Sequence, residues 1–224
     1  MPKPSIIAID GPAASGKSTL GFRLAEALGY LFFDTGVMYR AVTWAAILHK
    51  ADAKDEAAVT ALAENVVIDI RPPSAADGRA CDVLIDGRDA TWEVRKTEVE
   101  AFVSIVAAYP GVRKALSAQQ RRIGLRGQVV MVGRDIGTVI LPEADLKIYL
   151  DATAEVRAKR RYDENIKLGK SADNDAILAN VRERDRIDST RAVAPLTAAA
   201  DAIRLDSDSL DAEQVFQKVK ALCQ

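Results

Sequence analysis

An α/β fold, a parallel sheet with helices on both faces, is what this sequence predicts. Three observations predict it. Short apolar runs rich in β-branched residues, such as Ile6-Ile7-Ala8-Ile9 and Val129-Val130-Met131-Val132, alternate along the chain with stretches of helical periodicity. Between the first run and the first helical stretch lies Gly11-Pro12-Ala13-Ala14-Ser15-Gly16-Lys17-Ser18-Thr19, which fits the phosphate-binding pattern G-x-x-x-x-G-K-[ST]. The chain is 49% hydrophobic and 28% charged, enough to build a packed core over 224 residues.

The loop is in the right context. A β-like run precedes it, and Leu20, Leu24 and Leu28 follow at helical spacing. Gly11 and Gly16 permit a close backbone approach that a Cβ would block. Successive N–H groups then face one concavity, and the helix N-terminus adds partial positive charge. In such a loop Lys17 reaches the β- and γ-phosphates of a nucleotide, and the Ser18 hydroxyl sits on Mg²⁺.

Gly29 stops the first helix, and Tyr30-Leu31-Phe32-Phe33 reads as a second strand. Asp34-Thr35-Gly36 turns into a helix over about 37–50, with Met38, Tyr39 and Arg40 in its first turn. A cation is unfavourable there unless an anion is near, so Arg40 reads as a phosphate contact. Asp55 to Asn65 is a short amphipathic helix. Residues 66–71 and 81–86 are β-like, with Pro72-Pro73 and Asp77-Gly78 between them and Gly87 after them: a small antiparallel insert. Thr97 to Ala108 is a helix with Val99, Phe102, Val103 and Val106 on one face; Pro110-Gly111 breaks it, and another helix runs to about Ile123. Ser104 and Arg113 lie on this pair, and the pattern alone gives neither a role.

Gly133-Arg134-Asp135 ends the strand at 128–132, and Asp151 ends the next, at 146–150. In open α/β sheets ligands bind beyond the carboxyl ends of strands, so Lys17, Thr35, Arg40, Arg134 and Asp135 share one edge. Asp135 could reach Mg²⁺ through water, bond a substrate amine or pair with an arginine; the spacing leaves all three open. An Arg-rich stretch follows, with Arg157, Arg160 and Arg161 on one helix and Arg182, Arg184 and Arg186 on a second, about 175–188, then Arg191. Interleaved acids allow a salt-bridged surface, while two helices around Gly169 also suit a lid over transferring phosphates. Residues 202–205 form a last strand, and 209–222 a final helix with Val215, Val219 and Leu222 inward.

Composition excludes several classes. A net charge of −1 provides no global field for nucleic acid or an anionic membrane. No apolar run approaches the roughly 18 residues of a membrane helix, and the segment before the first strand is too short for a signal peptide. Cys81 and Cys223 match no metal spacing and read as reduced thiols of a cytoplasmic protein. His49, the one histidine, lies away from every motif, so histidine acid–base catalysis is not expected.

Together the phosphate loop, Asp34-Thr35-Gly36 with Tyr39-Arg40, Gly133-Arg134-Asp135-Ile136-Gly137-Thr138, and Arg184-Asp185 through Arg191-Ala192-Val193-Ala194-Pro195-Leu196 resemble the bacterial cytidylate (CMP/dCMP) kinase family, over nearly the whole chain. The resemblance implies a three-layer nucleoside monophosphate kinase fold with a five-stranded parallel sheet. It implies a core at 1–34, 124–156 and 192–224, a monophosphate-binding region at 35–123 with a β-rich insert at about 66–95, and a lid at about 157–172. It implies ATP and Mg²⁺ on Gly11 to Thr19, with Ser18 toward the metal. Arg40, Arg134 and Arg191 would contact the CMP phosphate, beside Thr35 and Tyr39. Ser104, Arg113 and Asp135 would read cytosine, and Arg184 and Asp188 would hold the sugar. Lys17, Arg134, Asp135, Arg157, Arg161 and Arg191 would serve catalysis, with Arg157 and Arg161 as lid arginines. A monomer acting on CMP, dCMP and ATP, without nucleic acid or membrane, is the expectation. Val37 and Gly111 depart from what many relatives carry, and neither removes a functional group. Two other readings share the loop: a related kinase for UMP or a small metabolite such as shikimate, and a nucleotide-hydrolysing regulatory switch.

Overall fold

The computed structural model describes residues 3–223; Met1, Pro2 and Gln224, the ends of the expected core segments, lie outside the described residues. A five-stranded sheet is built from β1 (Ile6–Asp10), β2 (Leu31–Asp34), β6 (Val129–Gly133), β7 (Leu146–Asp151) and β8 (Ile203–Asp206). Its order is β2-β6-β1-β7-β8, and every pair is parallel. Strand side chains alternate between faces, and the core divides accordingly. Ala8, Val129 and Met131 join Phe33 under α2 (Gly36–Leu48), α3 (Glu56–Asn65) and α5 (Pro110–Gly124). Ile7, Ile9, Val130 and Val132 face the other way, toward α1 (Lys17–Leu28) and α8 (Ala212–Ala221). The sandwich of helices around a parallel sheet is as expected.

The insert is a three-stranded antiparallel sheet of β3 (Ile68–Arg71), β4 (Asp82–Ile85) and β5 (Arg88–Asp89). Asp86 and Gly87 turn β4 into β5 with φ of 49° and 79°, the conformation a tight hairpin demands. The insert's Ile68, Ile70, Val83 and Ile85 complete the core beneath α2. Pro110 does not merely end a helix. It opens α5, where its missing N–H costs nothing, and separates it from α4 (Thr97–Val106). Two antiparallel-packed helices, α6 (Ala154–Lys167) and α7 (Asn174–Thr190), form the arginine-rich hairpin.

Leu222 corrects the sequence expectation. The helix ends at Ala221, and Leu222 is 44% exposed. The inward face is Val215, Phe216, Val219 and Cys223, a spacing that closes on α1 without Leu222. A π-helical turn, Ile136–Ile140, follows Asp135 where only a strand end was expected; such turns recur at functional sites. His49 is exposed at the end of α2, and both cysteines are free and buried. Among the described residues no helix is long and apolar enough to cross a membrane.

Candidate active site

The phosphate loop follows β1, the central strand. Ala14 (φ 61°) and Gly16 (φ 91°) are both left-handed, which turns consecutive N–H groups into one hollow. A Cβ on Gly11 would lie 2.2 Å from the Leu150 carbonyl oxygen of β7, so only glycine lets the loop pass the sheet. No side chain caps the N-terminus of α1 and no acid stands in its first turn, leaving its positive end for a ligand anion. Ser15 Oγ is buried and has no hydrogen-bond partner among the described residues.

Lys17 is buried, and its Nζ donates to the Pro12 carbonyl at 2.9 Å. Burial, and then the charge of Arg134, pull its pKa from 10.5 down to about 7. The Ser18 hydroxyl donates to Asp34 Oδ2 at 2.7 Å. A hydroxyl beside a carboxylate at the mouth of a phosphate loop is a hard-oxygen donor set, which fits Mg²⁺.

Two cavities meet at this loop. The first, about 690 Å³, lies between the loop, α6 and the start of α8, with Arg160, Leu168, Lys170 and Val215 in its wall. The second, about 910 Å³, lies beyond the carboxyl ends of β2 and β6. Ala14, Lys17, Ser18, Thr19 and Arg161 line both. The second cavity collects Thr35, Tyr39, Arg40, Ser104, Arg113, Arg134, Asp135, Arg184, Asp188 and Arg191, all ten of the residues expected to hold a monophosphate.

Its wall is an ordered ionic network. Arg113 donates to Asp135 Oδ2 at 3.1 Å, and Arg191 stands 3.5 Å from Asp135 Oδ1. Arg134 Nε donates to Asp188 at 2.8 Å, and Arg191 reaches the same carboxylate at 3.4 Å. Burial raises the Asp135 carboxyl pKa against the pull of Arg113 and Arg191. The Arg113 guanidinium lies 5.5 Å from the centre of the Tyr39 ring, and burial raises the Tyr39 pKa. Arg113 Nε and Arg191 Nη2 are buried without a hydrogen-bond partner among the described residues. Unpaired buried donors are costly, and Arg191 Nη2 has only its 3.5 Å approach to Asp135 Oδ1 to offset that cost. Thr35 Oγ1 donates to the Val132 carbonyl at 3.1 Å, fixing the entry to α2.

The arginine-rich hairpin is sorted by its partners. Arg157 pairs with Asp185, Arg182 with Glu155, and Arg186 with Glu183. Arg161 and Arg184 pair with no carboxylate among the described residues, and both line the second cavity. Arg157 lines neither cavity. It is 3% exposed, with Nε on the Ala152 carbonyl at 2.8 Å and Nη1 on the Ala13 carbonyl at 3.0 Å. Every part of its guanidinium is thus engaged beneath the phosphate loop.

Three carboxylates escaped the sequence reading. Asp34 was visible only as part of a turn, although its place at a strand's carboxyl end was a usable signal. Asp10 accepts from the Ile136 N–H and the Gly137 N–H, each at 2.8 Å, directly after Asp135. Burial outweighs these bonds and lifts its pKa to about 6. Its partners lie more than a hundred residues away, so no local pattern announces it. Glu100 of α4 pairs with Arg40 and lines the second cavity; it belongs to no motif.

The family model of cytidylate kinase matches residues 7–224. The cytidylate kinase of Roseiflexus castenholzii is 52% identical over 99% of this chain and 94% of its own length. That of Chloroflexus aggregans is 52% identical over 95% of this chain and 91% of its own length. That of Bacillus velezensis is 46% identical over 98% of this chain and 96% of its own length. With the phosphate loop, the paired cavities and these matches together, the chain belongs to the cytidylate kinase family.

Proposed function

We propose that this protein transfers the γ-phosphoryl group of ATP to CMP or dCMP, giving ADP and CDP or dCDP. The observation that carries the reading is the meeting of the two cavities at Lys17, Ser18 and Arg161, with all ten expected acceptor residues in the second. The phosphate loop holds the donor, its backbone N–H groups and the α1 N-terminus facing the phosphates. Ser18, with Asp34 beside it, would hold Mg²⁺, which would supply charge neutralisation on the phosphates.

Phosphoryl transfer asks mainly for positioning and for positive charge around the moving group. Arg40, Arg134 and Arg191 orient the acceptor phosphate. Lys17 and Arg161, at the junction of the cavities, face the transferred group from both sides. The acceptor oxygen is already anionic near neutral pH, so the transfer needs no strong general base. Ser104, Arg113 and Asp135 read the base, and Arg184 and Asp188 hold the sugar. Arg157 supports the loop by holding the Ala13 carbonyl. In this reading residues 157–172, most of α6 and the turn after it, are the lid, residues 35–123 bind the monophosphate, and residues 1–34, 124–156 and 192–224 are the core of a cytoplasmic, monomeric enzyme.

The test is coupled ADP formation with ATP, Mg²⁺ and CMP, dCMP, UMP or AMP. Strong turnover on CMP and dCMP with weak turnover on UMP is expected. Equal rates on all four would overturn the base assignment, and ADP formed without any acceptor would point to the regulatory switch.

A second expectation concerns Asp10, which joins the strand before the phosphate loop to the turn after Asp135. Asp10→Asn leaves one oxygen for two N–H donors. A lost hydrogen bond to a charged group is worth about 1.5–3 kcal/mol, so the KM for CMP should rise about tenfold or more, with a smaller rise for ATP. Parallel rises for both nucleotides would mean that the residue holds the whole sheet edge rather than the acceptor side.

A further inference from the structure

Arg40 does not stand free in the second cavity. Its guanidinium pairs with Glu100 from α4, across the groove between α2 and α4. The helix-dipole argument required an anion beside Arg40, and the chain supplies one itself.

The four carboxylates of this cavity differ in how firmly they are held. Asp135 and Asp188 are buried, each between two arginines, and Asp34 is held by Ser18 and the Gly36 N–H. The Glu100 side chain is 60% exposed and has Arg40 as its one ion-pair partner among the described residues. It also stands in the first turn of α4, where the helix's positive end favours a carboxylate with or without Arg40. Its charge is felt by Arg184 as well. Glu100 is therefore the carboxylate that can leave its arginine at least cost.

We propose that Glu100 is a displaceable stand-in for the acceptor phosphate, which keeps Arg40 oriented in the second cavity and competes with incoming anions for its Nη2. The inference rests on the acceptor reading of the second cavity. A phosphate that takes the Arg40 Nη2 held by Glu100 must first release that carboxylate, and its affinity falls by the cost of the release. Bare orthophosphate has only such contacts, and a loss of about two- to fivefold weakens it in proportion. A nucleoside monophosphate has base and sugar contacts in addition and remains bound.

Calorimetric titration of CMP and of orthophosphate against the parent, Glu100→Gln, Arg40→Ala and the double variant tests this. Exposed ion pairs shift equilibria by about two- to fivefold. Glu100→Gln should tighten CMP by that factor, tighten the orthophosphate displaced by CMP equally, and lower the KM for CMP with kcat little changed. In the Arg40→Ala background the same substitution should change nothing, because the competition is over that guanidinium. Glu98→Gln, the neighbouring first-turn acid that lines neither cavity, should leave both affinities unchanged. Weaker CMP binding in Glu100→Gln would show instead that Glu100 only orients Arg40 and would overturn the proposal. An equal gain in Glu98→Gln, or one that persists without Arg40, would reduce the effect to general surface charge and overturn it too. A parent that makes no CMP-dependent ADP would fail the functional reading separately, since the binding comparison requires no turnover.

Discussion

Lys17→Met is expected to lower kcat for CMP phosphorylation by roughly three orders of magnitude, while making the unliganded protein more stable to heat. Removing a single preorganised charge from a transition state typically costs about 10²–10³ in kcat, and Lys17 lies where the two cavities meet. The gain in stability comes from the same burial. The folded pKa is depressed from 10.5 to about 7. Below pH 7 the lysine is charged in both the folded and the unfolded chain, and the folded state bears the whole cost of burying that charge. Between pH 7 and 10.5 the folded state releases the proton while the unfolded state keeps it, so the cost diminishes as pH rises. Methionine carries no such cost. Its thermal midpoint should therefore exceed the parent's most clearly at pH 6, and the two should converge by pH 10. Near-parental turnover would remove Lys17 from the chemistry, and a midpoint difference that does not vary with pH would remove the burial account.

Asp135→Ala should cut kcat/KM for CMP by about two orders of magnitude or more, because a site built to bond one base edge loses steeply when its partner is missing. Stability should suffer too. Asp135 stands between Arg113 and Arg191, both largely buried. Deleting one side of a buried pair costs about 3–5 kcal/mol, and alanine leaves two guanidiniums without it. Asp135→Asn separates the effects. The amide retains an oxygen for Arg113 and offers a donor in place of an acceptor, so it should keep more of the fold while the ratio of CMP to UMP turnover falls. Steady-state rates on both nucleotides, read beside the thermal midpoints, check this. An unchanged CMP-to-UMP ratio in Asp135→Asn would mean that the base is read elsewhere.

What was legible in the chain follows the range of the interactions involved. The phosphate loop is local: nine consecutive residues, a strand before and a helix after, and the structure has them so. The five parallel strands announce themselves as apolar runs, and their carboxyl ends place Thr35, Arg40, Arg134 and Asp135 together because parallel strands share an edge. Ser104 and Arg113 carry no local mark. They share a cavity with Asp135 only because of how α4 and α5 pack in the fold, and resemblance to a family was needed to single them out. The arginine-rich stretch could not be divided by pattern, since acids stand beside nearly every cation. Only the packing of α6 on α7 decides that Arg157 and Arg182 find carboxylates while Arg161 and Arg184 do not. Asp10 was silent for the same reason, with its N–H partners 126 and 127 residues further on. Leu222 was misplaced because the periodicity of α8 was extended past the end of the helix.

The two cavities share a wall made of Ala14, Lys17, Ser18, Thr19 and Arg161. On the proposed reading, a molecule with adenosine at one end of a phosphate chain and cytidine at the other would reach from the first cavity to the second across that wall. Such a tethered ligand surrenders its rotational and translational freedom once for both halves, and its second half binds at an effective concentration set by the chain. The number of phosphates that binds best would then be a ruler for the distance between donor and acceptor.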